Sequence, residues 1–309
     1  MEVFVRLLIN VLEEGLIYGI MAMGVYITYK VLSFPDLSVD GSFPLGCCVT
    51  AVCIANGVNP VLTLLIVFLC GCAAGLVTGL LHVKLKITDL LSGILVMTAL
   101  WSINLVILGG KAVFPFYNQP TIFNSGIVEL FSAALYRRRV LIILAVVAIA
   151  VKVLMDLFFK TKAGLLLRAA GDNSQYVTAL AIDPGTMKII GLMISNGVVA
   201  LAGGLYAQYQ GNADVNMGRG AIVIGLAAVI IGEVVLGRWV YFNYMLRMAA
   251  VVFGAIMYFC VIAVVLWLGL ETTDMKLISA LIVAAFLAVP YLKGKYDASH
   301  VKRGGGKNA

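Results

Sequence analysis

The chain has 309 residues, 62% of them apolar and only 12% charged, with a mean hydropathy of +1.05. A soluble domain carries about 25% charged residues. That deficit, with repeated apolar runs near the ~20 residues needed to cross a bilayer, excludes a soluble protein and predicts an all-α, polytopic integral membrane protein. The net charge of +7 does not point to nucleic acid, because Lys and Arg collect in alternate loops, as topology determinants do.

Residues 1–14 put Glu2, Arg6, Asn10 and Glu13/Glu14 on one helical face and Val3, Phe4, Leu7, Leu8 and Val11 on the other. This is the pattern of an amphipathic helix lying in the membrane interface. A first span is expected from Gly15 to Ser33, followed by a helix break over Phe34–Pro44, where two prolines, a glycine and the carboxylates of Asp36 and Asp40 cannot continue a lipid-facing helix. Such backbone survives at membrane depth only when buried in protein or lining a watery cavity. A short segment, 44–56, continues, and further spans are expected over 60–82, 89–108, 140–158, 189–207, 221–236, 246–268 and 275–292. The total is about nine spans with the N-terminus outside and the C-terminus inside, or about eight with the N-terminus inside if 44–56 only re-enters.

Basic groups fix this orientation. His82, Lys84 and Lys86, the stretch 159–188, Arg238 and Arg247, and the tail 293–309 fall on one side, read as cytoplasmic; Arg137-Arg138-Arg139 is the exception. The stretch Phe159–Lys188 is the longest polar run between apolar segments. Its interior predicts one or two short helices broken at Gly171-Asp172-Asn173, and it reads as a docking segment for a cytoplasmic partner. Asp36–Gly41 after the first span and Asp214–Gly218 after the sixth both lead into Gly/Ala-rich segments. Two such breaks predict an inverted repeat within a single transmembrane domain, 15–158 holding the first repeat plus a connector span and 189–292 the second. Gly71/Gly75/Gly79 and Gly15/Gly19 are spaced for close helix packing.

A search for chemistry finds no catalytic constellation. His82 and His300 are far apart and share no motif, the six cysteines lie in apolar segments without metal-ligand spacing, and no complete phosphate loop is present. No catalytic residue, metal site or cofactor is therefore expected in this chain. Polar groups at membrane depth remain. Ser92, Thr98, Ser102, Asn104, Ser195 and Asn196 either hydrogen-bond between helices or line a pathway; Asn104 and Asn196 are the better pathway candidates, since an amide in hydrocarbon needs a partner or water. Asp36 and Asp40, with Ser38 and Ser42, line a pathway, or else Asp40 or Ser42 caps the helix that follows the break. Asp214 and Asn216 are the matching polar groups of the second break. Glu233 is expected to snorkel or to pair with Arg238.

Four stretches carry a resemblance: LSFPDLSVDGSFPLG (Leu32–Gly46), TDLLSGILVMTALWSINL (Thr88–Leu105), KTKAGLLLRAAGDN (Lys160–Asn173) and ADVNMGRGAIVIGLAAVIIGE (Ala213–Glu233). In this order the chain resembles permease subunits of bacterial ABC importers of the branched-chain amino acid and ribose permease family, most of all the subgroup that resembles tryptophan and tyrosine transporters. Glu233 departs from the small residues expected there. The resemblance implies a bacterial cytoplasmic membrane protein that is not itself an enzyme. It also implies a second permease subunit, a cytoplasmic ATPase dimer that binds ATP and magnesium, and an extracellular solute-binding lipoprotein that delivers an amino acid-like solute. It further implies that Gly164, Arg168, Gly171, Asp172 and Asn173 couple the ATPase to the pathway. An ion-coupled secondary transporter with inverted repeats is the alternative, with Asp36 and Asp40 as its ion ligands.

Overall fold

The computed structural model describes residues 2–125, 138–240, 244–267 and short pieces of 277–288. The tail 293–309 and most of the span expected over 275–292 lie outside the described residues. Among those described, six helices are long and apolar enough to cross a membrane and two apolar helices are shorter.

Helix α1 (Glu2–Tyr26) passes directly into a π-helical turn, Ile27–Val31. The expected boundary between an interfacial helix at 1–14 and a span from Gly15 is absent, and the membrane-length stretch already begins at Arg6. Of the polar face that suggested an interfacial helix, Arg6 and Asn10 are exposed, Glu14 is half-buried and Glu13 is buried. After the first break come α2 (Val39–Ala55), α3 (Pro60–Val83), α4 (Asp89–Ile107) and α5 (Arg139–Lys160). Two short helices follow, α6 (Lys162–Asp172) and α7 (Ser174–Ala179), separated at Asn173. The second half holds α8 (Pro184–Gln210), α9 (Ala221–Val240) and α10 (Tyr244–Trp267).

The helix ends follow local rules. Pro60 and Pro184 occupy first-turn positions, where their missing N–H costs nothing. Asn59 Oδ1 accepts from Val61 N, and Asp183 accepts from the backbone N–H groups of Gly185 and Thr186. The Thr186 hydroxyl also donates to Asp183, and these bonds hold its carboxyl below the ordinary aspartate range. Gly211 ends α8 in the left-handed conformation, φ 72°. Beyond it, β2 (Asn212–Asp214) pairs antiparallel with β1 (Val113–Pro115), Val113 opposite Asp214. Both strands fall where the sequence predicted only loops. They fasten the connector after α4 to the end of α8.

The two halves interlock. The most extensive helix contact is α3 on α8, and α2 also lies along α8; α10 and α9 pack in turn on α1. Each helix that precedes a break is thus gripped by the two helices that follow the other break. The glycine stripes permit the approach. A Cβ at Gly71 or Gly75 would strike the carbonyls of Asn196 or Leu192, and one at Gly15 would sit 2.9 Å from Ile256 Cα. Charge sorts by end as expected, and so does its exception. Arg139 sits at the end opposite the basic loops, its Nε donating to the Phe123 carbonyl at 2.8 Å.

Candidate functional site

The first break is shorter than its prolines predict. It covers 32–38, because Pro44 is absorbed in the second turn of α2. A proline there leaves the Asp40 carbonyl without its helical donor; Gly218 of the second break packs against that carbonyl and the Pro44 ring, where no Cβ would fit. The break opens with Ser33 at φ 52°, which reverses the chain after the π-turn.

Four polar side chains close together behind it. Asp36 is buried, and its Oδ1 accepts from Ser38 N at 2.9 Å and from the Ser38 hydroxyl at 2.6 Å. Its Oδ2 accepts from Asn196 Nδ2 at 2.8 Å. Asn196 Oδ1 in turn accepts from the Ser42 hydroxyl at 2.6 Å and lies 3.1 Å from that of Ser38. Gly93 lets α4 close over this clasp, its position lying against Leu37 N. The clasp joins the start of α2 to the middle of α8, each polar atom being satisfied by another, as burial at membrane depth requires.

Asp40 does something different. Neither it nor Ser42 caps α2, which begins after Ser38 with no side-chain cap bond. Instead Asp40 Oδ2 accepts from Gly220 N at 3.0 Å and Oδ1 from Ile222 N at 2.8 Å. It therefore caps α9, the helix after the second break, and ties one break to the other. Asn104 donates to the Gly41 carbonyl at 3.2 Å, while its buried Oδ1 has no partner among the described residues. Asp214 and Asn216 do not join the clasp. Asp214 Oδ1 accepts from Asn216 N and Nδ2, forming a local turn beside α2.

At the basic end the two glycines of the central segment's motif face inward. Gly164 lies against the Phe158 carbonyl, and Gly171 against the Val31 carbonyl that ends the π-turn, with no room for a Cβ at either. The Arg168 guanidinium rests 5.1 Å above the Phe159 ring, a cation–π contact. Asn173 caps α7, accepting from Gln175 N and Tyr176 N, and Asp172 is exposed at the end of α6. Among the large apolar side chains of this segment, Leu165, Tyr176 and Leu180 are exposed.

Glu233 pairs with Lys30 of the π-turn at 2.9 Å; the side chain of Arg238, its expected partner, lies outside the described residues. Sequence reasoning passed over Lys30, and also over Lys152 and Asp156, an ion pair one turn apart on α5. Two ionisable groups inside an apolar span were the available signal. It also passed over Trp101 and Arg219, which line a cavity of about 340 Å³ together with Asp40, Gly41, Thr98 and Asn104.

A bundle of broken, interlocked helices with polar clasps at membrane depth and a structured segment at its basic end defines a multi-pass membrane permease. The family described as branched-chain amino acid transport system, permease component, matches residues 7–289, and the chain belongs to it. It is the permease component of an ABC transport system, in a family of non-catalytic membrane components. The chain is 46% identical over 295 residues to a tyrosine transport system permease protein of Clostridioides difficile, covering 96% of this chain and 95% of that one. An uncharacterized Rickettsia prowazekii protein is 32% identical over 278 residues, 90% of this chain and 95% of its own. The ribose import permease protein of Bacillus subtilis is 25% identical over 230 residues, 73% and 67% of the two chains. No solved structure matches the chain.

Proposed function

We propose that this chain forms the translocation pathway of an ATP-driven importer for an amino acid-like, aromatic solute. The observation that carries the reading is the seat of α6 on the end of the first broken helix, at Gly171 and the Val31 carbonyl. A push on α6–α7 reaches the π-turn, then the break, then the Asp36 clasp and the Asp40 cap. Gly164, Arg168, Gly171 and Asn173 build that seat, with Asp172 exposed at its edge, and a cytoplasmic ATPase dimer that binds ATP and magnesium docks on the outward Leu165, Tyr176 and Leu180. Asp36, Ser38, Asp40, Ser42, Asn104, Asn196, Asp214 and Asn216 form the gates and walls of the pathway. A second permease subunit completes it, and an extracellular binding lipoprotein delivers the solute. The basic end lies in the cytoplasm of a bacterial plasma membrane, which puts the C-terminus inside. The near full-length identity to the Clostridioides tyrosine transport system permease supports the solute class.

The ion-coupled alternative is weaker, because the oxygens of Asp36 and Asp40 are already engaged by protein donors. The test is ATPase activity of the complex reconstituted with its operon neighbours, comparing wild type with Tyr176→Glu and Leu180→Glu. Loss of ATPase binding, with the permease still folded, is the expected result. Normal hydrolysis and uptake in both variants would refute the docking surface, and failure of any ATPase to bind the wild type would refute the class of machine.

A further inference from the structure

The cavity beside Asp40 lies between α2, α4 and the turn that leads into α9. At about 340 Å³ it falls within the size range of small-molecule sites. Met97 and Thr98, then Trp101 and Asn104 one and two turns on, border it from α4.

Its wall holds three unused capacities. Asn104 is wholly buried; its amide nitrogen is spent on the Gly41 carbonyl, and its Oδ1 accepts nothing among the described residues. An acceptor buried without a donor costs about 1–3 kcal/mol, so this oxygen is either a standing defect or a contact completed by something that enters. Arg219 is exposed and makes no ion pair among the described residues. A guanidinium beside a membrane-depth wall requires water or an anion. Trp101 is 46% exposed and offers a flat aromatic face. Asp40 borders the same space, but both of its oxygens are held by the amides at the start of α9.

We infer that this cavity is a contact niche for a small zwitterion with a flat apolar body, an α-amino acid with an aromatic side chain. Its carboxylate pairs with Arg219, its ammonium donates to Asn104 Oδ1, and its ring lies on Trp101. The inference rests on the importer reading above and adds the residues that meet the solute inside the permease. The niche lets the solute pause between delivery and release, with the Asp40 cap forming one of its walls.

The experiment uses the complete complex in proteoliposomes with ATP and loaded binding protein. It follows uptake of L-tyrosine, L-tryptophan, L-phenylalanine and ribose alongside ATP hydrolysis. For whichever amino acid the wild type imports, Arg219→Gln and Trp101→Ala are expected to lower uptake about tenfold or more, the loss of one charge-assisted or stacking contact. Arg219→Lys and Trp101→Phe should keep most of it, and hydrolysis stimulated by the binding protein should stay within about twofold in all four. Uptake at the wild-type rate in Arg219→Gln and Trp101→Ala overturns the niche. So does an equal loss of uptake and hydrolysis, which would make these residues part of the gate. Import of ribose but of none of the three amino acids also overturns the niche while leaving the importer intact. Absence of any ATP-driven uptake by the wild type refutes the importer reading, and the niche falls with it.

Discussion

Asp40 is the sharpest place to perturb the fold, because one side chain at the start of α2 holds the first turn of α9. Asp40→Ala leaves the N–H groups of Gly220 and Ile222 without their acceptors. A lost N-cap costs about 0.5–2 kcal/mol, and a hydrogen bond to a charged group is worth about 1.5–3 kcal/mol. For one cap made of two such bonds, partly replaced by water, we expect a loss of about 2–4 kcal/mol in Asp40→Ala. Asp40→Asn keeps one acceptor oxygen and should lose about half as much. Thermal unfolding of the purified permease in a single detergent reads this out. At about 2–4 °C per kcal/mol, alanine should lower the melting temperature by about 4–16 °C, with asparagine in between. Amide hydrogen exchange at residues 220–224 should rise in the same variants, since the first turn of α9 frays when its cap is gone. Melting within about one degree of wild type for both variants, with unchanged exchange at 220–224, would refute the cap.

Asn196→Leu should destabilise far more than Ser42→Ala. The first leaves Asp36 Oδ2 and the Ser42 hydroxyl without their partner, about 1.5–3 kcal/mol for the bond to the carboxylate alone, whereas the second removes one hydroxyl, worth about 1 kcal/mol; denaturation in one detergent series compares them. Gly171→Val should lift α6 off the Val31 carbonyl, lowering solute imported per ATP hydrolysed while leaving the spans packed, as judged by an unchanged melting temperature. The Lys30–Glu233 pair, with side chains 45% and 36% exposed, should give a double-mutant coupling of about 0.2–1 kcal/mol that shrinks at high salt. Asp183 has a folded pKa below its ordinary value. Its contribution to stability is therefore full above the unfolded pKa and is lost as pH falls through the folded one. Asp183→Asn should flatten the acid limb of the stability profile, and an unchanged acid limb would count against the cap.

The spans were legible because the bilayer allows so few solutions: apolar runs of the right length, with charge sorted by end, place α3, α4, α5, α8 and α10 directly. The turn at Asn173 was legible from local chemistry as well. Trans capping was not. Capping rules look three residues ahead, whereas the donors that Asp40 serves lie 180 and 182 residues on. Pro44 misled for a related reason: it sits in the second turn of α2, and the close packing beside it comes from Gly218, far along the chain. Gly164 and Gly171 of the central motif mark close backbone approach, while the exposed Leu165, Tyr176 and Leu180 beside them carry no signal of their own in the sequence. The strands β1 and β2 are too short to carry an alternating pattern.

The exchange of partners between halves has a consequence for how the protein is made. When Asp36 enters the bilayer, the amide that will receive it has not been synthesised; Asn196 lies 160 residues later in the chain. At about 5–20 residues per second that interval is roughly 8–30 s, during which Asp36 Oδ2 and the Asp40 carboxylate wait for donors that only the second half supplies. The N-terminal half is therefore a client of the insertion machinery until α8 arrives, and a nascent chain stalled after α5 should be degraded. Two fragments divided within the exposed stretch 178–181 and expressed together should rescue each other, because each carries the missing wall of the other's broken helix.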